Sequence, residues 1–217
     1  MENVWSKMES KKIPSSLIFD EEILKKMPQN ATILDLGCGN GALCNKLNKF
    51  GFNVYGIDCS EDAIRTAKEF FPNINFYIMD AESLKFEENF FDLIILNAVL
   101  TVVPTDQARR KIMIECNRVL KNNGYIYLAD FAQTWHNPVY YKRYIDNSLI
   151  TGEIGLFNVY DNNNHFLYTA KHFNQKEIVD LYLECGFDCF SFNIDKVTTR
   201  SGNTIDGYKI ILTKKKV

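Results

Sequence analysis

Short, almost wholly apolar runs alternate along the chain with segments whose apolar residues recur every three or four positions. That rhythm predicts a parallel sheet covered by helices on both faces. Residues 31–36 read as a first buried strand, followed by a glycine-rich turn and a helical stretch over 42–50. A second strand follows at 53–58, and Ser60, with Glu61 and Asp62 behind it, caps a helix that runs to Phe70 and stops before Pro72. Residues 74–79 form a third strand. The fourth, at 91–97, carries the unbroken run Leu93-Ile94-Ile95-Leu96, which places it centrally in the sheet. Helical spacing of Ala108, Ile112, Cys116, Val119 and Leu120 predicts a helix over 105–120, closed by Asn122-Asn123-Gly124 before a fifth strand at 125–130.

The rhythm then changes. Residues 131–172 are aromatic and polar with no clean period, and a connection of this length inside one domain reads as a lid or binding insertion. Asn162 to Asn164 mark an exposed loop within it. A helix at 175–184 leads to two extended runs, 187–194 and 207–213, joined through Ser201-Gly202-Asn203 as a closing antiparallel hairpin. The expected organisation is one domain over 1–217, with an N-terminal cap segment at 1–30 and a substrate-binding insertion at 131–172.

Length and composition sharpen this. A chain of 217 residues supports one full core, and 46% hydrophobic against 24% charged residues excludes a disordered, collagen-like or coiled-coil chain. The formal charge of −2 provides no basic field for a phosphate backbone, so nothing recommends a nucleic-acid partner. Cys38, Cys44, Cys59, Cys116, Cys185 and Cys189 lack zinc-ligand spacing, so they read as reduced, mostly buried thiols and no metal is expected. No apolar run reaches the roughly 18 to 20 residues of a membrane span, and the start lacks a secretory signal. A cytoplasmic monomer or homodimer is expected.

The chemistry concentrates in Ile33-Leu34-Asp35-Leu36-Gly37-Cys38-Gly39-Asn40-Gly41-Ala42, a strand entering a glycine loop and then a helix. Glycines let the backbone turn sharply and approach a ligand, and free amides at the helix start favour electron-rich groups. Asp58 ends the second strand, where a carboxylate can accept both hydroxyls of a ribose. The spacing Gly37-x-Gly39-x-Gly41 departs from the dinucleotide fingerprint, and Asp35 would repel a pyrophosphate but attract an ammonium or sulfonium group. A nicotinamide cofactor is disfavoured, and a cationic, phosphate-free nucleoside is the better guest. Asp80, in Asp80-Ala81-Glu82, is the third acid at a carboxyl-terminal strand edge and can accept from an adenine amine.

With these residues the chain resembles the class I S-adenosylmethionine-dependent methyltransferases, particularly their small-molecule branch. The resemblance spans roughly residues 33–213 through Leu34-Asp35-Leu36-Gly37-Cys38-Gly39-Asn40-Gly41, Tyr55-Gly56-Ile57-Asp58, Met79-Asp80-Ala81-Glu82, Phe91-Asp92-Leu93-Ile94 and Arg118-Val119-Leu120-Lys121-Asn122-Asn123-Gly124-Tyr125. It implies an α/β Rossmann-like fold: a seven-stranded, mostly parallel sheet with an antiparallel last strand and helices on both faces. It also implies S-adenosylmethionine (SAM) as methyl donor and S-adenosylhomocysteine (SAH) as product. Gly37, Gly39 and the backbone around Cys38 would cradle the methionine part, with Asp35 near its ammonium. Asp58 would hold the ribose, Cys59 would flank the adenine, Asp80 and Ala81 would read its edge, and Asn97 would sit by the amino-acid part or the methyl.

The acceptor is less legible. Methyl transfer from a sulfonium is an in-line displacement, so alignment and exclusion of water matter most and a base is optional. Trp135, Tyr140, Tyr141 and Tyr144 of the insertion, and Trp5 near the N-terminus, combine apolar area with polar tips as a small-molecule pocket requires. His136 is the expected base if one is used; His172, in Lys171-His172-Phe173-Asn174, reads as structural. Asn97-Ala98-Val99-Leu100 lacks the Asn-Pro-Pro-aromatic signature of nucleobase amino methylation, and Thr101 stands where many relatives carry histidine. The expected activity is methylation of O, N or C on a small metabolite. The alternatives are a tRNA or protein methyltransferase, or a catalytically silent SAM-binding partner.

Overall fold

The apolar runs fold into the strands that the pattern predicts, with small shifts at their ends. The structure is a computed structural model that describes residues 17–161, 163–198 and 203–216. Trp5 lies outside the described residues. The elements run β1 (Thr32–Leu36), α1 (Ala42–Lys49), β2 (Asn53–Asp58), α2 (Glu61–Phe70), β3 (Asn75–Ile78), β4 (Phe91–Asn97), α3 (Asp106–Val119), β5 (Leu120–Phe131), α4 (Pro138–Thr151), β6 (Leu156–Tyr160), β7 (Phe166–Lys171), α5 (Gln175–Glu184), β8 (Phe187–Thr198) and β9 (Thr204–Lys214). Short 3₁₀ turns at Glu21–Lys26 and Leu100–Val102 precede β1 and follow β4.

Seven strands form one sheet in the order β3-β2-β1-β4-β5-β9-β8. Strands β1 to β5 are mutually parallel, while β9 pairs antiparallel with both β5 and β8. The order reverses between β1 and β4, the switch point at which open α/β sheets bind ligands beyond their carboxyl ends. The sheet is buried on both sides. Leu34, Leu36, Ile94, Leu96 and Leu128 pack toward α3 and α5, and Ile33, Ile95, Val54 and Tyr127 pack with residues of α1 and α2.

The helices start where the sequence places caps. The Ser60 hydroxyl accepts the Ala63 N–H, Thr105 accepts that of Ala108, and Asn174 with Glu177 closes a capping box on α5. One boundary differs from expectation. Asn122-Asn123-Gly124 does not stop α3: the helix ends at Val119, and Leu120, with extended backbone, already pairs with Phe91. The strand therefore runs through the Asn-Asn-Gly segment, beside a register shift between Phe91 and Leu93.

The insertion is ordered structure, with helix α4 packed on the two-stranded sheet β6-β7. Tyr140, Tyr144, Phe157, Ala170 and Ile205 form its own core. Two polar fastenings tie it to the turn after β4 and to α5. The Thr101 hydroxyl donates to the Lys171 carbonyl at 2.7 Å, and the buried Lys171 ammonium pairs with Glu177 at 2.9 Å and with Glu153. No helix of the described residues is long and apolar enough to cross a membrane.

Candidate active site

The glycine loop lies where β1 meets its parallel neighbours β2 and β4. Gly37 and Cys38 donate their N–H groups to the Ile57 carbonyl, and Gly37, Gly39 and Gly41 all have positive φ. At Gly37 a Cβ would meet Val99 Cγ2 at 3.0 Å, so the space between the loop and the turn after β4 stays open only because the residue is glycine. Gly41 is the N-cap of α1 and makes no side-chain bond to the first amides of the helix.

Asp58, at the end of β2, does more than face the crevice. Its Oδ2 accepts the Gly39 N–H at 2.9 Å and its Oδ1 the Ser60 N–H at 2.9 Å, so one carboxylate holds both the glycine loop and the entry to α2. Burial raises its pKa, opposed by the N–H bonds from Ser60, Gly39 and Cys59. Cys59 beside it is half-buried. Asp80 lies two residues beyond β3 and is exposed; one oxygen accepts the Glu82 N–H, and Ala81 is half-buried against the core.

Asp35 is turned inward. Only 3% exposed, it accepts from the Cys44 thiol at 3.2 Å beneath the loop. Burial pushes it up to about 7; the Cys44 bond opposes this and the charge of Asp58 adds to it. Cys38 is buried above it, and the Cys44 thiol is pushed well above its ordinary value by its bond to Cys38, by burial and by Asp35.

On the other side of the crevice stands Asn97, the last residue of β4. Its Nδ2 donates to the Leu17 carbonyl at 2.6 Å, whereas its Oδ1 is buried with no partner among the described residues. An orphaned buried acceptor beside a glycine loop suits a donor such as an ammonium group. Three carboxyl groups, an acceptor with no partner among the described residues and a loop whose cradle a Cβ would fill fit a cationic nucleoside better than a phosphorylated one.

The acceptor candidates are distributed differently. Tyr140 and Tyr144 are buried in the core of the insertion, and Trp135 and Tyr141 are exposed with their rings 5.9 Å apart. The Tyr144 hydroxyl accepts the Thr134 N–H and shares a 2.7 Å hydrogen bond with His172 Nδ1. His172 is buried and lowered to about 3, first by burial and then by Arg143, so it stays neutral. His136 is largely exposed; Lys196 donates to its Nε2 at 3.0 Å, and its Nδ1 lies 3.6 Å from Asp206. Those partners belong to β8 and β9, three strands or more from β1. A cavity of about 430 Å³ lies away from the glycine loop, between the Glu21–Lys26 turn and β8-β9, lined by Ile23, Tyr127, Phe190, Lys209 and Ile211 among others.

Sequence reasoning missed Asp130. It is wholly buried at the end of β5 and accepts the N–H groups of Thr101 and Phe131. Its signal was available, a fourth acid at a carboxyl-terminal strand edge.

Residues 34–128 match a family described as the methyltransferase domain. A crystal structure of a SAM-dependent methyltransferase from Methanosarcina mazei is 35% identical, with a TM-score of 0.88, and the match covers 92% of this chain and 99% of that one. The chain belongs to the class I SAM-dependent methyltransferases. Its cofactor is therefore SAM, and the family's fold is the one described above. Among curated relatives, the 2-methyl-6-phytyl-1,4-hydroquinone methyltransferase of Synechocystis is 32% identical over 129 residues, 54% of this chain and 40% of that protein. The ubiquinone biosynthesis O-methyltransferase of Coxiella burnetii is 32% identical over 112 residues, 50% of this chain and 47% of that protein. The chain thus spans less than half the length of these two curated relatives.

Proposed function

We propose that this methyltransferase moves the methyl group of SAM to an oxygen, nitrogen or carbon of a small-molecule metabolite, by in-line displacement. The observation that carries the reading is the ordered insertion, α4 with β6-β7, fastened by Thr101 and Lys171 beside the turn that follows β4. An aromatic structure at this edge suits a flat or partly apolar acceptor. The curated relatives that methylate quinone precursors support the same class of acceptor.

When bound, SAM supplies an electrophilic methyl on a sulfonium. The chain's residues bind and align it. Gly37, Gly39 and the Cys38 backbone cradle the methionine part, and Asn97 Oδ1 accepts from its ammonium. Asp58 takes the ribose with the lone pairs its backbone bonds leave free, Cys59 flanks the adenine, and Asp80 with Ala81 reads its edge. Asp35 acts through its charge from beneath the loop. Trp135, Tyr140, Tyr141, Tyr144 and Trp5 belong to the acceptor side, the first four by shaping the insertion. His136 is the candidate base for an acceptor that must lose a proton; a carboxylate or free amine needs only alignment and exclusion of water. The reading is of a cytoplasmic enzyme, monomer or homodimer, whose cysteines stay reduced.

Asp35 makes the cofactor step pH-dependent. Its carboxyl is raised to about 7, so it is ionised above that pH and neutral below it, and a cationic guest prefers the ionised form. The ionisation of Asp35 is expected to contribute about a tenfold fall in SAM affinity from pH 8 to pH 6, with protons released on binding near pH 6.5. Calorimetry in buffers of different ionisation enthalpy checks this; zero proton release contradicts it.

The acceptor class is tested by incubating the enzyme with methyl-labelled SAM and separate small-molecule, tRNA and protein fractions, read by mass spectrometry. Label in a small molecule is expected. Label confined to tRNA or protein overturns the reading.

A further inference from the structure

We propose that Asp130 is a positioning residue of the methyl-donor site: its carboxylate holds the turn after β4 in the shape that presents Asn97 and Val99 to the glycine loop. The proposal rests on the reading of that crevice as the donor site.

The turn is strained where it leaves the strand. Ala98 has φ 57, a left-handed conformation that alanine adopts only when its surroundings impose it. Contacts on the turn's N–H groups come from the end of β5. The Ala98 N–H donates to the Ala129 carbonyl at 2.8 Å. Asp130 Oδ2 accepts the Thr101 N–H at 3.0 Å, its Oδ1 accepts the Phe131 N–H at 2.9 Å, and the Leu100 N–H also reaches it. Only a carboxylate offers acceptors on both oxygens; an asparagine amide would turn an N–H against one of these donors.

The same turn is gripped from its other side. Arg109, 1% exposed, donates from Nε to the Leu100 carbonyl at 3.2 Å, with its guanidinium 5.3 Å from the Phe173 ring. Asp130 and Arg109 therefore clamp the turn between opposite charges, one on its N–H groups and one on its carbonyl. What the clamp fixes is the cofactor side: Val99, between Asn97 and the clamped Leu100, is the residue a Gly37 Cβ would strike. Thr101 carries the same fastening into the insertion through the Lys171 carbonyl.

The charged and titratable groups around Asp130 are Arg109 from α3, with Asp106 paired to it; Tyr208 opposite it on β9; Lys171 at the end of β7; and His172 just after it. Lys171 is neutralised by Glu153 and Glu177, and His172 is neutral against Tyr144. Burial raises Asp130 to about 7, against the bonds from Phe131 and Thr101 and the charge of Arg109. Protonation converts one acceptor oxygen into a donor and loosens the turn on the acid side of neutrality.

Calorimetric titration of SAH into the wild-type enzyme and Asp130→Asn at pH 6, 7 and 8 tests this, because the ratio of the two affinities cancels every other ionising group, Asp35 included. The expected ratio is about tenfold at pH 8, falling toward unity at pH 6, where the wild-type carboxyl is itself neutral. A constant ratio at all three pH values, or no weakening at pH 8, overturns the proposal, since a merely structural residue gives one or the other. If the variant does not fold, an NMR titration of the wild-type enzyme decides. The Leu100, Thr101 and Phe131 amides are expected to move with the Val99 methyls and the Asn97 side-chain amide at one midpoint. Val99 and Asn97 unmoved while the amides titrate overturns it. Failure of the wild-type enzyme to bind SAH at any pH removes the donor-site reading and the proposal with it, a result distinct from an unaltered variant.

Discussion

Asp58→Ala is expected to weaken SAH binding by about ten- to a hundredfold, the equivalent of a charge-assisted contact of roughly 1.5 to 3 kcal/mol. The large effect has two sources. The variant removes the carboxylate proposed to accept the ribose hydroxyls, and it also frees the Gly39 N–H, which Asp58 Oδ2 holds at 2.9 Å, and the Ser60 N–H at the start of α2. The glycine loop then loses the strut that sets its shape before the cofactor arrives, so preorganisation is lost along with the contact. Asp58→Asn keeps one acceptor oxygen and is expected to fall between the two. Calorimetry on the three proteins checks the order; unchanged affinity in Asp58→Ala contradicts the ribose assignment.

The second large effect belongs to the insertion. Tyr144 is fully buried between Tyr140, Phe157 and His172, and truncating an aromatic residue in such a core costs about 3 to 5 kcal/mol. Tyr144→Ala is expected to lower unfolding stability by about that much in urea titration. Tyr144→Phe keeps the ring but leaves the Thr134 N–H and His172 Nδ1 without their partner, a cost of about 1 to 3 kcal/mol. Because the insertion core is separate from the residues under the glycine loop, Tyr144→Phe is expected to retain SAH affinity while methyl transfer falls. A loss below about 1 kcal/mol in Tyr144→Ala contradicts the account of the insertion as a packed unit.

The contrast between these two sites follows what a sequence can carry. Strand β4 was legible because it is buried on both faces and reads as the unbroken apolar run Leu93-Ile94-Ile95-Leu96, and β1 and β2 as short apolar stretches beside it. Helix α2 was legible through its Ser60 cap and α3 through the spacing of its apolar residues, and the structure adds side-chain caps at Thr105 and Asn174 for α3 and α5. Helix α4 was not, since Tyr140 and Tyr144 face inward while Tyr141, Ile145, Leu149 and Ile150 remain exposed, leaving no single apolar stripe. Its ends carried the signal that its middle lacked. Asn137 before Pro138 is an N-cap with proline in the first turn, and Gly152 closes the helix with φ 74.

The candidate site divides the same way. The glycine loop and the acids Asp35, Asp58 and Asp80 could be marked from position alone, because each stands at the carboxyl end of a predicted strand. Which way each acid faces could not. Asp35 lies beneath the loop against Cys44, Asp58 braces Gly39, and Asp80 is exposed with one oxygen on the Glu82 N–H. These directions depend on how the loop folds back over β2, a tertiary fact that spacing does not encode. For Asn97 the resemblance supplied a place beside the amino-acid part or the methyl, and the structure adds an acceptor oxygen left buried with no partner among the described residues.

A crystal structure of the full chain with SAH bound tests the central claim most directly. The ligand is expected in the crevice beyond β1, β2 and β4, with its amino group on Asn97 Oδ1, its ribose on Asp58 and its adenine beside Cys59 and Asp80. SAH found instead in the cavity between the Glu21–Lys26 turn and β8-β9, or in the glycine crevice with its ribose away from Asp58, would contradict the account.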